Sequence, residues 1–179
     1  DNGITFAAAT SVTGTGGITN MVAVPFDATT GVAGAITYTG FTAADTTTVT
    51  GVSGFNDGAK TSGAYTFANA TSVTGTGAIT NVVTSFDDTS LASAGSGITY
   101  SAGFSSVAGD GTADVLNSAT FLLTGANAGT GASGLTYTAF NAASNTTTVT
   151  GATDFDHGLT SDNGITFAAA TSVTGTGGI

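Results

Sequence analysis

Apolar and polar residues alternate along this chain in short bursts. Ile4-Thr5-Phe6 sets an apolar, threonine, aromatic pattern that returns as Ile36-Thr37-Tyr38, Tyr65-Thr66-Phe67, Ile98-Thr99-Tyr100, Leu135-Thr136-Tyr137 and Ile165-Thr166-Phe167. In an extended strand the first and third residues of such a triplet share one face. The apolar pair is therefore expected inward and the threonine outward. The aromatic positions are spaced by 32, 29, 33, 37 and 30 residues. Each unit then carries a Val-x-Gly element, at Val12, Val49, Val73, Val107 and Val149, and a later phenylalanine, at Phe26, Phe55, Phe86, Phe121 and Phe155. All five units keep the three elements in one order.

A longer period contains the shorter one. Residues 1–18 and 162–179 are identical, at an offset of 161 residues. The chain reads as one repeat, 1–161, of five units (1–32, 33–61, 62–94, 95–131 and 132–161), followed by the start of an identical repeat at 162–179. This predicts a segment of a longer array or filament. The first unit resembles the third and the second resembles the fifth. The second and fifth place more residues before the valine and fewer between valine and phenylalanine. Length is traded between two corners around fixed anchors, as loops vary around stacked strands.

The fold class expected is all-β: a parallel β-helix, or β-solenoid, of about five coils of about 32 residues per repeat, each coil a three-sided turn of short strands. Stacking like on like predicts an inner ladder of Phe6, Tyr38, Phe67, Tyr100, Tyr137 and Phe167, and an outer ladder of Thr5, Thr37, Thr66, Thr99, Thr136 and Thr166. At the usual strand spacing, five such coils rise roughly 24 Å. Val and Thr suit the strands. Gly, Asn, Asp and Ser suit the corners, where left-handed backbone or side-chain-to-backbone bonding is needed. A string of β-sandwiches would need units of about 100 residues. A disordered linker would not carry 40% hydrophobic residues.

Composition narrows the function. Cys, Trp, Glu, Gln and Arg are absent, all 11 acids are Asp, and Lys60 is the one basic residue besides His157, for a net charge of −10. There is no electrostatic footprint for nucleic acid, and no thiol for a disulfide, a nucleophile or zinc. No apolar run is long enough to span a membrane as a helix.

The strings Asn2-Gly3-Ile4-Thr5-Phe6 and Ser11-Val12-Thr13-Gly14-Thr15-Gly16 resemble the repeats of very large bacterial surface proteins, the filamentous haemagglutinin-like and autotransporter-type adhesins. The resemblance spans the chain as a pattern and is sharpest at 1–17, 62–77 and 162–178. It implies a secreted, cell-surface β-helix carrying a binding tip on a long stalk. The uniform repetition and the excess of Thr and Ala favour stalk over tip.

The function expected is a structural segment of such a fibre, a stalk, filament or matrix scaffold, and not an enzyme. Its expected partners are further copies of itself, neighbouring fibres or cell-surface ligands. Carbohydrate-cleaving chemistry needs paired carboxylates in a formed cleft. Asp154-Phe155-Asp156-His157 is the one acid cluster with a histidine, and it reads as a solvated turn. Calcium is the cofactor alternative, with Asp87, Asp88, Asp110, Asp114, Asp154 and Asp156 as candidate ligands, because hard oxygens in turns suit it. Against it, the nine-residue calcium repeat of solenoids is absent, and the same aspartates suit corner turns. A flat outer face binding glycan or ice is a further alternative, with threonine files at Thr13 and Thr15, Thr46, Thr48 and Thr50, Thr74 and Thr76, and Thr146, Thr148 and Thr150. An assembly of short subunits stacked end to end, surface-layer or amyloid-like, is the last.

Overall fold

A computed structural model describes residues 4–101 and 103–179; Asp1, Asn2 and Gly3 of the opening motif lie outside them. The chain is an all-β solenoid of stacked coils, about half strand, with its strands gathered in two sheets of 13 and 12 strands. The first unit supplies β1 (Ser11–Thr13), β2 (Gly17–Ile18), β3 (Phe26–Asp27) and β4 (Val32–Ala33). The second supplies β5 (Ile36–Thr39), β6 (Ala43–Ala44), β7 (Thr48–Val52), β8 (Phe55–Asn56) and β9 (Thr61–Ser62). The third supplies β10 (Tyr65–Thr66), β11 (Ser72–Gly75), β12 (Gly77–Val82), β13 (Ser85–Asp87) and β14 (Ala92–Ser93). The fourth supplies β15 (Ile98–Tyr100), β16 (Phe104–Gly109), β17 (Val115–Asn117), β18 (Thr120–Gly125) and β19 (Ala128–Gly131). The fifth supplies β20 (Thr136–Thr138), β21 (Ala142–Ser144), β22 (Thr148–Asp154) and β23 (Ser161–Asp162), and the repeated start supplies β24 (Ile165–Phe167) and β25 (Ser172–Gly178).

Each unit passes back and forth between the two sheets. In the second unit β5 and β7 lie in the larger sheet and β6 and β8 in the smaller. A short reversed strand, here β9, then folds the chain back antiparallel to begin the next unit at β10 in the same sheet. Four passes carry the chain to the opposite sheet, so successive units start on alternate sheets. The trade of length seen in the sequence now has a cause. In the second and fifth units an alanine strand (β6, β21) precedes the valine strand. In the others a strand carrying Ile18, Ile79 or Leu116 follows it.

Two expectations are corrected. The coil has two strand-bearing faces, not three, and the equivalent aromatic residues do not stack on one another, although the equivalent valines do, Val49 with Val73 and Val149 with Val173. Inward files instead join different positions of consecutive units: Phe26, Val49, Val73 and Tyr100 in one, Phe55, Ile79, Val107 and Tyr137 in the next, and Phe86, Leu116, Ala143 and Phe167 in a third. Of the proposed inner ladder, Phe67, Tyr100, Tyr137 and Phe167 are buried, Tyr38 is half-buried, and Phe6 is 65% exposed. The predicted outer ladder likewise dissolves into mixed stacks such as Thr48, Ser72 and Thr99. The reason is the fold-back: a unit's first strand is laid beside the second, not the first, strand of the unit before it, as β15 is beside β11. Strands two units apart, β5 and β15 or β10 and β20, lie five rungs apart in their sheet, so the advance per five-unit repeat is roughly 60 Å at the usual spacing, not 24 Å.

The core consequence is testable. Phe86 is fully buried and packs on Tyr100 and Tyr137. Phe86→Ala is expected to cost about 3–5 kcal/mol, whereas Leu122→Ala, at a half-exposed position, should stay within about 0.5 kcal/mol. Denaturant unfolding of the two variants checks the contrast.

Candidate functional site

The corners where the chain folds back hold most of the acidic residues. In four of the five units the residue after the late phenylalanine caps its turn; after Phe121 the residue is Leu122. Asp27 Oδ1 accepts the Thr29 and Thr30 N–H groups at 2.9 and 3.0 Å, and Asp87 Oδ1 those of Thr89 and Ser90 at 2.8 and 2.9 Å. Asn56 and Asp156 each accept one N–H, from Ala59 and Leu159, both at 2.9 Å. These are the short side-chain returns that favour Asp and Asn over Glu. They hold a tight turn with one left-handed residue, as at Lys60 (φ 52°) and Leu91 (φ 51°).

One residue further on, the chain does something the sequence did not announce. Asp57 and Asp88 are buried. Asp57 accepts hydrogen bonds from Ser93 Oγ at 2.7 Å and from Ser96 Oγ and Tyr100 OH at 2.5 Å each. Asp88 accepts them from Ser118 Oγ at 2.7 Å, the Ser133 N–H at 3.0 Å, and the Ser133 and Tyr137 hydroxyls. Each clasp ties one unit to the aromatic residue two units later. Burial pushes the Asp88 carboxyl up, but the Ser133, Tyr137 and Ser118 hydroxyls outweigh it and hold the group below the ordinary range. The phenols of Tyr100 and Tyr137 are pushed far up, first by burial and then by their aspartate partners.

The six candidate calcium ligands do not converge. Asp87 caps a turn and takes the Asn117 amide at 2.8 Å; Asp88 is saturated by hydroxyls. Asp110 accepts the Thr112 N–H at 2.8 Å, while buried Asp114 takes those of Thr84 and Gly111 at 3.1 and 3.0 Å. Burial, helped by the charge of Asp110, raises the Asp114 carboxyl. Asp156 caps its turn, and Asp154 is exposed at the end of β22. Among the described residues no three acidic or histidine side chains come together around a common point. A column of threonines is tied into the stack, Thr46 from a buried position. Thr47 and Thr46 donate to Val22 O and Val24 O at 2.8 Å each, Thr71 to Thr47 O at 3.4 Å, and Thr147 and Thr171 to Ala119 O and Thr147 O at 3.4 and 3.3 Å. They stitch rung to rung.

A complementarity in the sequence could have found the clasps. The position two after the late phenylalanine is Ala28, Asp57, Asp88 and Leu123 in the first four units, and the aromatic residue two units later is Phe67, Tyr100, Tyr137 and Phe167. A hydroxyl is present only where a carboxylate awaits it. The chemistry of these groups is hydrogen bonding inside the stack.

Two outcomes are expected. Asp88→Leu and Tyr137→Phe should each destabilise, while the double variant, which recreates the Leu123–Phe167 pairing, should cost less than the sum by about 1–3 kcal/mol; a double-mutant cycle in urea measures this. Because folding favours charged Asp88, its contribution is present above the ordinary aspartate pKa of about 4 and is lost as pH falls through the lowered folded value. Asp87, lowered chiefly by the Ser90 N–H, acts in the same sense. Asp114, raised, acts in the opposite sense, losing stability as pH rises through its own range. Thermal scans should show a net fall in stability below pH 4, shallower in the double variant. No protein-family model, curated protein or solved structure matches this chain.

Proposed function

We propose that the chain is shaft: a load-bearing segment of an extracellular bacterial surface fibre, stalk or matrix scaffold of the adhesin kind its repeats resemble. The observation that carries this reading is the interlock. In the first four units the late phenylalanine ring packs on the aromatic ring two units further on, at 5.8 Å for Phe26 with Phe67, 6.0 Å for Phe55 with Tyr100, 6.1 Å for Phe86 with Tyr137 and 6.0 Å for Phe121 with Phe167. A stack bound across its nearest neighbours resists peeling one unit at a time. The acids are tied into turns and clasps that hold this stack, and the outer hydroxyls clip its rungs.

The acidic surface, with one lysine, keeps neighbouring shafts apart at low salt. No helix among the described residues is long and apolar enough to cross a membrane, and the reading needs none in this segment. Antibody-labelled electron microscopy of the source cells tests the proposal. Label running along external fibres that give a strand spacing of about 4.8 Å on the axis is the expected result. Label confined to the cell interior, or on discrete globular particles, would sink it.

A further inference from the structure

Two-residue turns join three of the reversed strands to the strands that follow them. Gly34 and Ala35 link Ala33 to Ile36, Gly63 and Ala64 link Ser62 to Tyr65, and Asn163 and Gly164 link Asp162 to Ile165. In the first two the glycine comes first, at φ 57° and 56°. In the third it comes second, and both residues are left-handed, Asn163 at φ 51° and Gly164 at φ 82°. Asn-Gly is the pair that suits this backbone best. Gly34, Ala35, Gly63 and Ala64 are exposed, and so is Gly164. The Gly63 turn joins β9 and β10 in the interior of the smaller sheet, so exposure is a property of the turn itself.

Packing fixes the glycine. A Cβ at position 164 would meet Asn127 Oδ1 at 2.3 Å, on a backbone that side chains rarely adopt. The residue after Asn163 is therefore held to the one type whose nitrogen no side chain shields. The Asn127 N–H donates to Asn163 O at 2.7 Å. That bond draws electrons from the Asn163–Gly164 peptide and makes its N–H easier to ionise. Asn163 is half-buried, and its Nδ2 donates to Thr153 Oγ1 at 3.2 Å, the long end of the range. Asparagine is among the thermolabile residues, and this one has its most reactive neighbour imposed by the fold.

We infer that the Asn163–Gly164 turn is a modification site, at which the folded chain loses ammonia and gains a charge that loosens the hairpin. The Gly164 nitrogen gives its proton to water and attacks Asn163 Cγ. The new N–Cγ bond closes a five-membered imide, the Cγ–Nδ2 bond breaks, and Nδ2 leaves as ammonia with a proton from water. Water then opens the ring. Opening at the side-chain carbonyl leaves aspartate; opening at the main-chain carbonyl leaves isoaspartate, with the backbone routed through the side chain. Either product sets a carboxylate beside Asp162, which is buried with its Oδ2 taking the Thr153 and Asp154 N–H groups at 2.7 and 3.3 Å. The other titratable groups of this corner are Asp154, Asp156 and His157, all exposed; Lys60 stands in the second unit. Isoaspartate also lengthens a turn whose length sets the pairing of Asp162 with Ile165. The hairpin so weakened holds Ile165 and Phe167 in the core. Asn-Gly occurs in the sequence only at 2–3 and 163–164, at one position of the repeat. This inference does not depend on the shaft reading.

Peptide mass mapping tests it. The native chain is held in mildly alkaline buffer, then unfolded in acid and cleaved before its aspartates. This separates peptide 162–179 from 1–26, which carries the other Asn-Gly, and from 57–86 and 114–153, which carry Asn69 and Asn145. Peptide 162–179 is expected to gain the mass of an amide turned to an acid, its aspartyl form being cut again before residue 163, while 57–86 and 114–153 stay unchanged. Asn163→Gly, which keeps the left-handed turn, is expected to abolish the gain in this peptide and leave the thermal midpoint near that of the parent. Asn163→Asp is expected to melt below the parent at neutral pH and to recover as pH falls below the ordinary aspartate range. A gain in urea but none in the native chain, a gain no faster than that of the Asn145 peptide, or an Asn163→Asp chain as stable as the parent at neutral pH would each overturn the inference.

Discussion

The reach of the late phenylalanines of the first four units to a ring two units away is the constraint on which this structure rests. To make that contact the chain places its fourth strand beyond a gap, then folds back through a reversed strand to fill it. The larger sheet shows the result in the order β1, β5, β4, β3, β7. No unit is complete until its successors are laid down. Stability is therefore shared along the stack rather than held in separable repeats, a stronger coupling than the nearest-neighbour case of most solenoids. All the contacts span only tens of residues, so the stack can still grow from one end.

Polar groups inside this core set its register. A buried carboxylate left without partners costs several kcal/mol, so Asp57 and Asp88 tolerate only a tyrosine flanked by serines. Ala28 and Leu123 tolerate only an apolar neighbour. Two polar pairings lie between two apolar ones, so a slip by one unit would set Ala28 against Tyr100 and Asp88 against Phe167, which an all-apolar ladder of similar rings would accept. The hydroxyl stitches on the outer face repeat this on a smaller scale, each satisfying a carbonyl of the rung before it.

The odd number of units has a geometric consequence. Four passes move each unit to the opposite sheet, and five such moves leave the repeat turned by half a revolution. Both faces of an extended stack then present the same residues in alternation.

The solenoid class, the unit of about 32 residues and the corner role of aspartate were legible in the chain itself. They depend on local rules: alternation along a strand, repetition of Ile-Thr-Phe and its variants, and the fit of Asp27 or Asp87 to a turn. The pairing of the ladders was not legible, because equivalent residues look as though they should stack on one another. Only the folded chain shows that Phe26 lies beside Val49 and Tyr38 beside Val12. The clasps were hidden for the same reason: Asp57 and Tyr100 stand 43 residues apart, and nothing local joins them. Local backbone preference decides which residues become strands and corners; which strands become neighbours is decided by the packing of whole units, once the gap left by each late phenylalanine has to be filled.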